Sequence, residues 1–343
     1  MPASDLDALL DEARSMGLVN QEAADGLGVW SDGGDPANAV LSARILRRIA
    51  RSNAGVALAL HREALANAIL RRLGIAIAGH GTAAVQGRHG LGRRSLARHL
   101  AGEPLDADDR AMLADWAGTE GDRIATVRES FDWIVAPVAD NCGVVGWGAW
   151  PRDRLTCHRL PHAHGFDELT TVAFRPSPSG DGARAGSGAE GVGAACLAAA
   201  LCTEALGLMS IGLGAADRAH AMARSYASSR SQGGRPIERH AAVQLLLASS
   251  RRALVTVEAL VESSAVRRIG APGLAAIFAA RAEAHPLLCR AANDDLQVFG
   301  GSGYMRDTGA EKIVRDLNHL RVISGSPPEL SLFVAEWERI HGL

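Results

Sequence analysis

Lysine is almost missing from this chain, since Lys312 is the only one and every other basic residue is arginine. The 36 basic residues meet 38 acidic ones, for a formal net charge of −2. No long run of one sign occurs, which excludes the clustered basic surface of a nucleic-acid-binding protein. Aromatic residues make up only 4%, so a core has to be assembled from Ala, Leu, Val and Ile. The five cysteines, Cys142, Cys157, Cys196, Cys202 and Cys289, contain no CxxC pair, which argues against a zinc ribbon or a disulfide framework. The GxSxG elbow of a Ser-His-Asp hydrolase is absent as well. The first residues, MPASDLDALLDEARSMG, carry acids where a secretory leader needs positive charge, so a cytoplasmic enzyme is expected.

What is present is 343 residues at 47% hydrophobic content, enough for two or three packed units. Leu6, Leu9, Leu10 and Ala13, then Ala39–Ala50 and Ala57–Leu73, repeat with helical spacing, with WSDGGDPAN as a loop between them. From Arg123 to Phe174 short runs rich in β-branched and aromatic residues (WIVAPV, CGVVGWGAW, LTTVAF) read as a small β unit. Residues 176–190 have the composition of a flexible connection. Helical pattern returns at 191–229, 236–264, 271–297, 309–320 and 328–341, and the long pieces suggest a bundle. The expectation is a mainly α protein: an N-terminal helical domain over 1–118, a small reduced β domain with its connection over 119–190, and a C-terminal four-helix bundle over 191–343.

The stretch GVGAACLAAALCTEALGLMSIGLGAA is long enough to span a membrane, yet Glu204 sits near its midpoint and a charged helical segment follows directly. A central helix of a soluble bundle is the simpler reading. Glu204 is then a buried carboxylate. Buried without a cation it has a raised pKa and makes a strong base for a carbon acid; paired with an Arg from a neighbouring helix it is structural. Arg230-Ser-Gln-Gly-Gly-Arg-Pro-Ile-Glu-Arg-His240 is a polar break that could offer arginine forks to a pyrophosphate or be an ordinary helix–helix turn. Gln297-Val-Phe-Gly-Gly-Ser-Gly-Tyr304 closes a helix and opens a Gly-rich loop. His158, His162 and His164 lack nearby carboxylates, and no metal is expected.

Together, RSQGGRPIERHAAVQ and QVFGGSGYMRDTGAEKIVRDLNHLRVISGS, in the order helices, β unit, bundle, resemble the acyl-CoA dehydrogenase family of flavoproteins. The resemblance implies FAD, with Arg230 on its pyrophosphate, His240 near its adenine side, and Gln297, Gly300 and Gly301 reaching it from the partner subunit. It implies α,β-dehydrogenation of an acyl-CoA or acyl-carrier thioester by a homodimer or tetramer, with neither nucleic acid nor membrane as partner. The family's usual base position holds Ser324, and Glu204 falls where isovaleryl-CoA dehydrogenase-like members carry theirs. Glu204 is therefore the expected α-proton base, with Ser324 lining the same pocket. The family's Thr-Glu-Pro-Gly-x-Gly-Ser-like loop has no counterpart. That gap, with Ser324, motivates an alternative: a non-catalytic or half-site subunit in a hetero-oligomer with a fuller related chain.

Overall fold

The structure is a computed structural model that describes residues 3–19, 28–31, 36–85, 93–139, 143–161, 163–176, 183–185, 192–267 and 270–342. His162, Cys142 and much of the expected connection 176–190 lie outside these residues. The N-terminal part contributes α1 (Ala3–Ser15), α2 (Pro36–Ala50) and α3 (Ala54–Leu73), then α4 (Arg93–Ala101) and α5 (Ala107–Ala117). α3 starts where the Asn53 side chain accepts the Val56 amide at 3.0 Å, and it ends at Gly74 in the left-handed region. Leu6, Leu10 and Ala13 of α1 are buried on one stripe, whereas Leu9 faces solvent.

The β unit consists of two small sheets. One runs β1 (Gly81–Ala83), β3 (Trp133–Ala139), β4 (Val145–Pro151), β7 (Ala183–Ala185), and the other β2 (Arg123–Val127), β6 (Thr170–Pro176), β5 (Leu155–Arg159). Phe131, Ile134, Trp150 and Phe174 belong to a small core of their own. β1 pairs parallel to β3, so the residues before 118 supply a strand to the unit that follows them. That strand is three residues long, too short to leave an alternation in the sequence.

The C-terminal part is α6 (Val192–Ser229), α7 (Ala241–Ala265), α8 (Ala271–Val298), α9 (Ala310–Leu320) and α10 (Pro327–His341). α6 is long and apolar enough to cross a membrane, and 89% of its apolar window is buried inside the protein. It is the axis around which α2, α3, α7 and α8 pack. The single lysine joins three parts of the chain. Lys312 on α9 lies 2.6 Å from Asp316 and 3.1 Å from Glu168, and Glu168 in turn accepts from Asn53 at 2.8 Å. Burial opposes its charge, yet the two carboxylates raise the lysine's pKa.

Candidate functional site

Three consecutive polar residues, His61, Arg62 and Glu63, interrupt the apolar pattern of α3, and all three are buried. Two of them meet Glu204 on α6. His61 Nε2 lies 2.9 Å from one carboxylate oxygen, and an Arg62 nitrogen lies 2.9 Å from the other. Ser324 Oγ donates to that second oxygen at 2.6 Å. Behind the imidazole, the indole N–H of Trp30 donates to His61 Nδ1 at 2.9 Å. An indole nitrogen can only donate, so Nδ1 is the acceptor and the neutral ring carries its proton on Nε2, facing Glu204. Trp30, His61, Glu204 and Ser324 form one oriented chain of hydrogen bonds.

Glu204 is 1% exposed. Burial pushes its pKa up, but Arg62, His61 and Ser324 together bring it down to about 2. Of the two environments the sequence left open for Glu204, the structure shows the paired one: a cation from the neighbouring helix supplies the partner that burial alone would lack. Ser324 lies beside Glu204 as expected, and its φ of 55° puts a non-glycine residue in the left-handed region. Its carbonyl accepts from Arg93 at 2.7 Å and from Arg281 at 3.1 Å, and Arg281 also donates to the Ile323 carbonyl. Both arginines are fully buried, and burial lowers Arg93 to about 10 and Arg281 to about 9. They clamp the turn that presents Ser324.

Close approach of α3 to α6 depends on Gly207, one turn beyond Glu204. A Cβ at this position would overlap the His61 ring. Gly207→Ala should therefore force His61 away from Glu204 and lower stability by ~1–3 kcal/mol, measured by urea unfolding. The opposite result, an unchanged midpoint, would mean that the ring moves freely.

A second constellation forms at the far end of α6. Ser231–Gln232 (β8) and Arg235–Pro236 (β9) make a two-residue hairpin whose turn, Gly233-Gly234, has both φ values positive at 59° and 77°. The sequence left this segment open between a phosphate grip and a plain turn. The hairpin sets Arg230 on the wall of a cavity of about 690 Å³ that also takes in Gln297, Gly300 and Gly301. His240 lines it too, at the start of α7, with Nε2 3.1 Å from the Gln232 carbonyl. Tyr226 and Phe299 stack on another wall, with ring centroids 4.8 Å apart.

These residues fit the phosphate-bearing end of FAD. Arg230 offers a planar guanidinium, the aromatic pair an apolar shelf, and a Cβ on either Gly300 or Gly301 would meet no atom within 4 Å, so their backbone lies open. The resemblance implied that Arg230 and the Gln297 loop reach one FAD from different subunits. In the structure Arg230, Gln297, Gly300 and Gly301 line one cavity of one chain.

Among the described residues no cluster of metal-ligating side chains occurs. Sequence reasoning missed His61, Arg62, Trp30, Arg93 and Arg281. The available signal was the His-Arg-Glu triplet inside the apolar helix 54–73. A Ser-His-Asp contact also exists, with Ser250, His220 and Asp295 buried between α6, α7 and α8. The Ser250 hydroxyl donates to Asp295 at 2.7 Å, so its proton is held by the carboxylate and the geometry is that of a helix tie rather than a nucleophile.

Residues 191–336 match the sequence profile of the acyl-CoA dehydrogenase C-terminal domain. Over 130 residues the chain is 32% identical to a 3-sulfinopropanoyl-CoA desulfinase of Paraburkholderia xenovorans, covering 38% of this chain and 34% of that protein. Over 141 residues it is 30% identical to a cyclohex-1-ene-1-carbonyl-CoA dehydrogenase of Geobacter metallireducens, covering 40% and 37%. The matched stretch thus spans about a third of each of these relatives. Butyryl-CoA dehydrogenase from Megasphaera elsdenii superposes with a TM-score of 0.70 at 18% identity, covering 96% of this chain and 88% of that one. Residues 191–336 are similar to the C-terminal domain of acyl-CoA dehydrogenases, and the chain as a whole shares the fold of solved glutaryl-CoA and butyryl-CoA dehydrogenases.

Proposed function

We propose that the chain is an FAD-dependent oxidoreductase that removes hydrogen from the α and β carbons of an acyl thioester, with Glu204 taking the α-proton. The observation that carries this reading is the layout of α6, with a buried carboxylate in its first half and the Arg230 cavity at its end. Both relatives named above carry an acyl-CoA in their names, which supports a CoA thioester as substrate.

Bound FAD would supply the hydride acceptor. The chain's own residues do the rest. Arg230 holds a pyrophosphate through its planar fork, and the open backbone at Gly300 and Gly301 lets that group come close. Glu204, with its low pKa, is ionised at neutral pH, the state a proton acceptor needs. Its basicity is held down by Arg62, so loosening that contact when an acyl group arrives would raise it, because burial alone pushes a carboxylate up. The buried walls around it exclude water from the proton-transfer step.

From Glu204 to Arg230 the helix advances about 39 Å at 1.5 Å per residue, beyond the reach of one FAD. The two ends of α6 therefore serve two flavins, and a dimer in which each chain lends its Arg230 cavity to the neighbour's cofactor completes each site. The purified protein is expected to be yellow. Arg230→Ala should weaken FAD retention by ~10-fold or more, because charge-assisted phosphate contacts are lost, while the melting curve of the flavin-free protein stays put. Arg230 lies on the surface, so a fall in retention would report binding and not folding. A colourless protein that takes up no added FAD would overturn the reading.

A further inference from the structure

A second cavity, of about 380 Å³, lies between α2 and α7 and shares none of its lining residues with the Arg230 cavity or with the hydrogen-bonded chain around Glu204. Its floor is apolar, with Ala43, Leu213 and Val261 buried beneath it. Its wall is a stripe of arginines, namely Arg44, Arg47 and Arg48 on α2 and Arg51 just past its end. The Arg51 amide still donates to the Arg47 carbonyl at 3.0 Å, so the helical geometry carries on through it.

Arg47 is already committed. Its Nε lies 2.7 Å from Asp217, another of its nitrogens pairs with Glu258, and these two carboxylates raise its pKa against the effect of burial. The contacts anchor α2 to α6 and α7 and make the wall rigid. Arg44, Arg48 and Arg51 are exposed and make no ion pair among the described residues. Against Asp217, Glu258 and Glu262 the four guanidiniums leave one positive charge in excess, and it is carried by the exposed row.

Positions 44, 48 and 51 fall on one helix face and extend about 10 Å along the axis. That line is longer than a single phosphoryl group, and guanidinium forks suit phosphate oxygens. The volume lies within the ~300–1,000 Å³ usual for small-molecule sites, leaving room for an apolar body beside the charged row. We propose that this cleft binds an organic diphosphate of the nucleoside diphosphate class, with its phosphoryl groups along Arg44, Arg48 and Arg51 and its base on the floor formed by Ala43, Leu213 and Val261.

The test is calorimetric titration of the purified protein with ADP, pyrophosphate and adenosine, each used separately. ADP should bind at least ~10-fold more tightly than either fragment, because each fragment meets only half of the cleft. The double variant Arg44→Ala/Arg48→Ala should lose ADP affinity by ~10-fold or more, and raised salt should weaken the wild-type interaction. All three unpaired arginines are exposed, so the melting temperature should not change, and Arg51→Gln provides a second variant with the same expectation. Arg230→Ala separates this site from the other cavity: it removes whatever ADP binds at the Arg230 cavity and should keep the binding that Arg44→Ala/Arg48→Ala weakens. ADP binding that survives in the double variant but disappears with Arg230→Ala would overturn the proposal, and so would the absence of ADP binding to the wild type.

Discussion

Glu204→Gln is expected to slow acyl-thioester-driven bleaching of the flavin by ~10²-fold or more, because the amide cannot accept the α-proton. The same substitution should also destabilise the protein. Arg62 is 2% exposed and would keep its charge in the interior with no anion beside it, and breaking a buried pair from one side costs ~3–5 kcal/mol. Loss of activity alone would therefore not separate a catalytic role from a structural one. Adding Arg62→Met to Glu204→Gln makes the separation, since replacing both partners of a buried pair by groups of similar volume is often close to neutral. The double variant should recover most of the stability in urea unfolding while its bleaching stays slow. Unchanged bleaching in Glu204→Gln would remove the carboxylate from the mechanism. A double variant as unstable as the single one would show that Arg62 is not what Glu204 holds in place.

The long helices of the bundle were legible because their apolar positions recur over many turns. The readings 191–229 and 271–297 meet α6 at Val192–Ser229 and α8 at Ala271–Val298. The start of α7 was placed at 236 and lies at Ala241, because Arg235–Pro236 pairs into the hairpin and a 3-10 turn over Ile237–Arg239 intervenes. Glycine pairs announce a turn without telling which one, and here both glycines occupy the left-handed region.

The site was legible in one half only. Glu204 stands out as the lone charge in the apolar run 191–216, which is a property of the sequence. Its pKa is not, because it depends on which side chains of α3 face α6, and that register follows from packing around Gly207. Arg93 and Arg281 are further removed. They lie 231 and 43 residues from Ser324 along the chain, and no local pattern links them to the carbonyl they hold. Arg230 and Gln297 were singled out separately, and only the fold brings them to one cavity.

Acid should expose the Glu204 pair a second time. In the unfolded chain this carboxyl titrates near 4.5, and in the folded protein near 2, so protonation favours unfolding. The depressed folded value contributes ~3 kcal/mol that is fully present above pH 4.5 and disappears as pH falls towards 2, with ~2 kcal/mol of it gone by pH 3. Glu311 and Glu336 are also depressed by their arginine partners, but those arginines are surface or half-buried and salt screens their share. Asp295 and Asp316 have pKa values raised by burial, so acid favours their folded forms and opposes the trend without involving Glu204. The difference in unfolding free energy between wild type and Glu204→Gln isolates Glu204 together with the side chains it touches, because titrations elsewhere in the chain are shared. Measured in urea at 0.5 M salt, that difference should be largest at pH 6 and shrink steadily between pH 4.5 and 2. A difference that stays constant over this range would mean that Glu204 is not held as an anion by Arg62, and the ion pair would then contribute through packing alone.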